Sequence, residues 1–303
     1  MNNYQKEGYL YPVAPFDFEK SINFTKNFIP MNGEQDFSEL TLIKAVELSE
    51  ISVVFSVQSI GTTSKPKLHY KIYSVEPLDT YSHQEALDRI DFFLSLQDNL
   101  TPFYEIGYHD KIFKPIINEL YGYHQVKFLT PFENACWAVI SQRSSLALSK
   151  ITKDKLIKIY GDELSFNGKT FYTFPSPNKL IKVSENDLND IVNNTKKTQY
   201  LMNTIKAFNS INETNLRKKN YEDLKHWLLS IKGIGEWSAS FILLRGFGKM
   251  EELPIAEKVL ENTSHRLYFD YLKHNNISIN DISNKYGTYK GYWAHYIRVA
   301  NSM

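Results

Sequence analysis

The sequence predicts an α+β N-terminal domain with an antiparallel sheet, followed by a mainly α-helical domain. Three observations carry this. First, two β-rich runs, 51–58 (ISVVFSVQ) and 68–75 (LHYKIYSV), flank a Gly/Thr/Ser/Pro turn region and read as a hairpin. Second, residues 83–96 (HQEALDRIDFFLSL) space their apolar side chains at helical intervals. Third, no strand-rich stretch follows residue 105. Apolar residues recur three and four apart through 110–121, 131–149, 153–160, 185–194, 196–208, 221–230, 237–246 and 254–269. Breaks such as 166–178 (FNGKTFYTFPSPN) separate some of these runs. The expected division is therefore 1–105 and 106–303.

Composition fits this plan. The chain has 303 residues, enough for two domains, and 42% hydrophobic content with 14% aromatics argues for packed cores against disorder. The net charge is +1, which by itself names no partner. The halves differ: residues 131–303 hold 24 Lys/Arg against 17 Asp/Glu, and residues 1–130 hold 11 against 17. A basic C-terminal half is a weak pointer to a phosphate backbone, against the alternative of unevenly solvated charge. The single cysteine, Cys136, excludes a disulfide framework and any multi-cysteine metal site within this sequence. It lies in the apolar run ACWAVI and reads as a buried thiol. The histidines show no ligand spacing, so His265 and His295 read as structural. No signal-like start and no 18-residue apolar run occurs, so no membrane partner is expected and the expected location is intracellular, cytoplasmic or nucleoid.

The most informative stretch is 227–240, WLLSIKGIGEWSAS. A helix-compatible run ends at Ile231, and a new one starts after KGIG. Gly233 and Gly235 allow a tight turn with positive φ and leave the outer face bare. Ile234 between them suits a plug in the joint. The free N–H groups at the start of the second helix favour an anion, and Lys232 and Ser238 add possible phosphate contacts. Such a device grips a nucleic-acid backbone without reading sequence. A Gly-X-Gly between helices is also an ordinary helix C-cap.

The larger string, LxxIKGIGxWSAxxxLLRGF, resembles the helix-hairpin-helix DNA glycosylase superfamily, and within it the alkylated-base branch typified by 3-methyladenine DNA glycosylase II. YPVAPFDF (11–18), PFENACWAVISQRSS (131–145), KKTQYLMNTIKAF (196–208) and YKGYWAHYIRVA (289–300) are similar to that branch in the same order. The resemblance implies duplex DNA as partner, a monomer, no organic cofactor, and extrusion of a damaged nucleotide into a pocket. It also allows a monovalent cation on the hairpin carbonyls.

Residue by residue, the resemblance puts the side chain that fills the gap at Arg143, with the preceding Gln142 also at the DNA. Arg143 either stacks in the gap or holds a phosphate. The base pocket falls on Trp237, Phe241 and Tyr289, whose aromatic faces would attract a cationic alkylated base. On periodicity alone Trp237 and Phe241 read as core residues. Members that also cut the strand, such as endonuclease III, carry a lysine nucleophile where this chain has Trp237, so strand-cutting by that route is not expected.

The family's catalytic aspartate lies two residues after a proline. Here the frame is LPIAEKVL (253–260), and the aspartate position is Ala256. A methyl group neither stabilises an oxocarbenium-like sugar nor orients water. Glu257, one residue on and about 100° around a helix, is a substitute candidate or simply a favourable first-turn acid. Three explanations stay open: a deliberate Asp→Ala variant, a natural member that lost the acid, and catalysis by Glu257. A non-enzymatic, sequence-independent duplex-binding protein is the alternative function.

Overall fold

The computed structural model describes residues 4–38, 40–254, 258–275 and 277–300. The N-terminal region contains strands β1 (Tyr4–Leu10), β2 (Gln35–Ser38), β3 (Thr41–Glu47), β4 (Ser52–Ser59) and β5 (Leu68–Ser74), with helices α1 (Phe18–Asn27) and α2 (Thr80–Leu94). The five strands form one antiparallel sheet in the order β1-β5-β4-β3-β2. The predicted hairpin is its β4–β5 pair, with Phe55 opposite Ile72 and Val57 opposite Tyr70. Asp17 and Asp79 cap the two helices, accepting from the N–H groups of Lys20 and Ser82.

Strict alternation in β5 turns Leu68, Tyr70 and Ile72 inward. They pack with Val53, Phe55 and Val57 under Phe18 and Ile22 of α1 and Ala86, Ile90 and Phe93 of α2. The alternation in β4 is incomplete because both of its faces are covered. Val54 and Ala45 point to the other side, under Phe166 and Phe171. Those two belong to β6 (Glu163–Phe166) and β7 (Lys169–Tyr172), an antiparallel hairpin in a stretch expected to be a break between helices. Asn167-Gly168 forms its two-residue loop, both residues at positive φ. An Asn-Gly pair between β-formers is a strong hairpin signal, and it corrects the expectation of no strand beyond residue 105.

The rest is helical: α3 (Thr101–His109), α4 (Lys114–Glu119), α5 (Pro131–Ile140), α6 (Leu146–Tyr160), α7 (Pro177–Leu180), α8 (Glu185–Val192), α9 (Thr195–Asn209), α10 (Glu213–Arg217), α11 (Tyr221–Ser230), α12 (Glu236–Ile242), α13 (Lys258–Asn275), α14 (Ile279–Asn284) and α15 (Lys290–Ala300). The apolar run 131–149 is thus two helices, parted at 141–145. Helix α5 is buried along its whole length, including Cys136, whose thiol burial pushes up and keeps protonated. One helical core gathers around α5, α9, α11 and α12. A second joins α3, with Phe103 and Tyr104, to Tyr292, Trp293 and Tyr296 of α15, so apolar packing runs across the 105/106 line.

A buried ionic cluster ties the sheet region to the helices. Lys153 of α6 donates to Glu133 of α5 (2.6 Å), to Glu34 (2.6 Å) and to the Pro30 carbonyl (2.8 Å). Lys44 of β3 reaches Glu34 as well, at 3.1 Å. No helix among the described residues is long and apolar enough to cross a membrane.

Candidate active site

The hairpin lies between α11 and α12. Ile231 ends α11 with its N–H on the Leu228 carbonyl, and Ile234 N–H returns to the Ile231 carbonyl at 2.9 Å. Gly233 has φ +110°, and a Cβ there would stand 2.4 Å from the Tyr200 ring, so both backbone and space require glycine. Gly235 departs from the sequence expectation. Its φ is −100°, an extended conformation open to any residue, and a Cβ there would meet nothing within 4 Å. Its bareness concerns the outer surface alone. Ile234 is buried in the helical core, as a plug would be, and Lys232 is exposed.

The 141–145 turn sits against this hairpin. Gln142 Nε2 donates to the Gly233 carbonyl at 2.8 Å and to Ser238 Oγ at 3.2 Å. Ser238 is only 4% exposed, so its hydroxyl serves the turn and does not face outward toward a phosphate. The Lys232 carbonyl accepts from Asn203 Nδ2 at 3.2 Å. A monovalent cation on the Lys232 and Gly233 oxygens would have to share them with these two amides. No group of three or more His, Cys, Asp or Glu suited to a metal occurs among the described residues.

Arg143 is exposed at the tip of the turn with φ +50°. Lys197 of α9, the second residue of the KKTQYLMNTIKAF string, reaches the turn from the other side. It donates to the Ile140 carbonyl at 2.9 Å and to Ser144 Oγ. Burial lowers its pKa.

Trp237 and Phe241 stand one helical turn apart on α12 and lie parallel, 2° between planes and 5.6 Å between centroids. Trp237 is 41% exposed, which departs from a core residue, whereas Phe241 is half-buried. Phe241 meets Phe128 edge-on at 6.3 Å, and Phe128 meets Phe28 edge-on at 5.8 Å. Phe28 stacks on Phe24, and the Arg245 guanidinium lies over both rings at 4.5 and 4.8 Å. Arg245 belongs to a π-helical stretch, Leu243–Phe247, that extends α12. Such insertions are frequent at functional sites and are invisible in apolar periodicity. The aromatic chain behind Phe241 was likewise absent from the sequence reasoning, although YPVAPFDF pointed to the neighbourhood of α1.

Tyr289 immediately precedes α15. Its hydroxyl donates to the Asn99 carbonyl at 3.0 Å, and its ring lies 6.0 Å from Phe103. Burial, then the negative Asp98, raises its pKa. Among the described residues no ring contact joins it to the Trp237–Phe241 pair. Leu253 and Pro254 are described, with Leu253 packed on the C-terminal core. Ala256 and Glu257 lie outside the described residues.

Comparison with known proteins places this geometry. No protein-family model matches the chain. A DNA-3-methyladenine glycosylase of Bacillus subtilis is 26% identical over 234 residues, 74% of this chain and 77% of that protein. The structure of a 3-methyladenine DNA-glycosylase from Archaeoglobus fulgidus superposes with a TM-score of 0.80 at 19% identity, covering 98% of this chain and 99% of that one. An 8-oxoguanine glycosylase/lyase from Clostridium acetobutylicum superposes at 0.68, also 19% identical, over 98% and 97% of the two chains. A sheet domain leading into a helical domain, a Gly-X-Gly hairpin braced by a neighbouring turn, and a relative matched over three-quarters of the chain converge. In sequence and in fold the chain is similar to the helix-hairpin-helix DNA glycosylase superfamily, in its 3-methyladenine DNA glycosylase branch.

Proposed function

We propose that this chain is a DNA repair glycosylase that takes alkylated, 3-methyladenine-like bases out of duplex DNA by nucleotide flipping, without cutting the strand. The observation that carries it is the parallel Trp237–Phe241 pair on the helix directly after the hairpin. The hairpin, with Lys232, Gly233 and Gly235, holds the backbone, and Arg143 enters the space the nucleotide leaves. A cationic base then rests against electron-rich rings, each such contact worth about 0.5–2 kcal/mol. Its positive charge also makes it a better leaving group. The indole at Trp237 offers no amine to attack the sugar, which supports excision alone.

The acid is the weak point. With Ala256 where the family has aspartate, electrostatic stabilisation of the sugar cation is lost, and such a group is worth roughly 10²–10³-fold in rate. The chain as it stands is therefore expected to bind DNA and to excise poorly or not at all. The experiment measures release of 3-methyladenine from methylated duplex DNA by this chain and by Ala256→Asp. The aspartate form should gain at least about a hundredfold. If neither form frees a base from any of a panel of lesions, excision is not the function. Ala256 itself favours a second reading, a non-enzymatic duplex-binding protein, which predicts salt-sensitive binding and no gain from Ala256→Asp.

A further inference from the structure

Arg143 has a backbone conformation, φ +50°, that residues with a side chain adopt uncommonly. Such a conformation persists where the surroundings over-determine it, and it clusters at functional sites. Here the surroundings are specific. Ser144 N–H closes the turn onto the Ser141 carbonyl at 3.3 Å. From one flank Lys197 Nζ binds the Ile140 carbonyl, at the C-terminal end of α5, and Ser144 Oγ. From the other flank Gln142 Nε2 binds the Gly233 carbonyl and Ser238 Oγ. The residues on either side of Arg143 are thus fastened to two different elements, α9 and the hairpin, while Arg143 itself stays exposed.

The choice of donors is informative. Both acceptors of Lys197 are neutral, and a lysine there is favoured by the negative end of the α5 dipole. Gln142 spends its amide on a hairpin carbonyl, which makes turn and hairpin one unit. We propose that Lys197 and Gln142 are positioning residues that hold the 141–144 turn so that Arg143 stands preformed to fill the gap left by an extruded nucleotide. The proposal rests on the flipping function argued above. A preformed side chain need not be ordered on binding, so its entry favours the extruded state more strongly.

The test uses the full chain and three variants, Lys197→Met, Gln142→Leu and Lys197→Arg. Amide hydrogen exchange in 141–144, measured without DNA, reads the bracing directly. It should speed up about tenfold in the first two variants, the effect of one lost hydrogen bond to or from a charged or well-placed group, and return toward wild type in Lys197→Arg. The second readout is the fluorescence of 2-aminopurine placed beside a tetrahydrofuran abasic analogue in a duplex, which rises on unstacking. Unstacking by the first two variants, measured at saturating protein, should fall about tenfold. Unchanged exchange in both variants overturns the bracing. Faster exchange with wild-type unstacking overturns the positioning role and leaves flipping intact. A wild-type chain that binds the duplex and unstacks nothing overturns flipping, and the role of Arg143 with it. Should Lys197→Met fail to fold, Gln142→Leu and Lys197→Arg carry the same comparisons.

Discussion

The indole of Trp237 lies parallel to the ring of Phe241, 5.6 Å away, with one ring largely in water and the other half-buried. The spacing is too small to admit a base between them, so the pair is a two-ring platform with Trp237 as its outer half. The two should separate on mutation. Trp237→Ala should weaken binding to a duplex with an alkylated base by about 5–10-fold, from lost stacking and cation–π attraction. Its melting temperature should barely move. Phe241 also packs on two cores. Phe241→Ala should therefore lose about 2–3 kcal/mol of stability in addition to affinity. Fluorescence-anisotropy titration and thermal unfolding of both variants check this.

The hairpin glycines make an opposite pair. Gly233→Ala places a methyl against Tyr200 in a backbone conformation that alanine avoids. It should destabilise the protein by about 2 kcal/mol or more. Gly235→Ala meets open space and an ordinary φ. It should leave unfolding unchanged within about 0.5 kcal/mol. If the outer face of the hairpin holds a phosphate, Gly235→Asp should weaken duplex binding at low salt by about tenfold, with the difference shrinking as salt rises. Equal affinities for Gly235→Asp and wild type at every salt concentration would remove the hairpin from the interface.

Much of this was legible in the sequence because it depended on local signals. The β4–β5 pair follows from alternating β-formers around a turn, and the KGIG string locates the joint of α11 and α12. What stayed hidden depended on packing at long range. Val54 makes β4 apolar on both faces because β6–β7 covers it, and nothing near Val54 in sequence says so. Ser238 looks like a phosphate ligand by position, yet Gln142, 96 residues earlier, claims its hydroxyl. Nor does the resemblance that groups Tyr289 with Trp237 indicate its contacts with Phe103 and Asn99. The left-handed Arg143 has no sequence signature, since the residues that hold it come from α9 and the hairpin.

His295 gives a pH dependence of definite sign. Its ring is buried, and burial first, then the positive Arg245 and Arg298, hold its pKa well below 6.5. Its Nε2 lies in hydrogen-bond contact with the Tyr123 hydroxyl at 2.9 Å, and burial keeps that hydroxyl protonated. The unfolded chain takes up a proton on this ring below about pH 6.5 and the folded one does not, so stability is lost as pH falls through that point. In His295→Gln the slope of unfolding free energy against pH between 6.5 and 5 should be smaller than in wild type by nearly one proton. An unchanged slope in denaturant titrations across that range would show that His295 charges inside the fold.

The cluster around Lys153 should dominate at lower pH. Burial alone would raise the Glu34 carboxyl, but the charges of Lys153 and Lys44 and the Lys153 hydrogen bond outweigh it and hold the pKa at about 2. Because the folded value lies below the ordinary 4.5, this group contributes stability that is complete above 4.5 and is lost as pH falls from there toward 2. Lys153 itself is raised: burial lowers it, and Glu133 and Glu34 more than reverse that. Removing the shared cation should be the severe change. Lys153→Met leaves Glu34 and Glu133 buried with less compensation and should cost about 3–5 kcal/mol. The loss belongs to the stranded carboxylates more than to the missing bonds. Adding Glu133→Leu, Glu34→Met and Lys44→Met, which removes the second buried partner of Glu34, to Lys153→Met should therefore restore stability to within about 2 kcal/mol of wild type. It should also abolish the acid loss below 4.5 that Glu34 causes. Chemical denaturation at pH 7 and pH 4 separates the two effects. A quadruple variant no more stable than Lys153→Met would mean that the ion pairs, and not the avoidance of unpaired charge, hold the sheet region against α5 and α6.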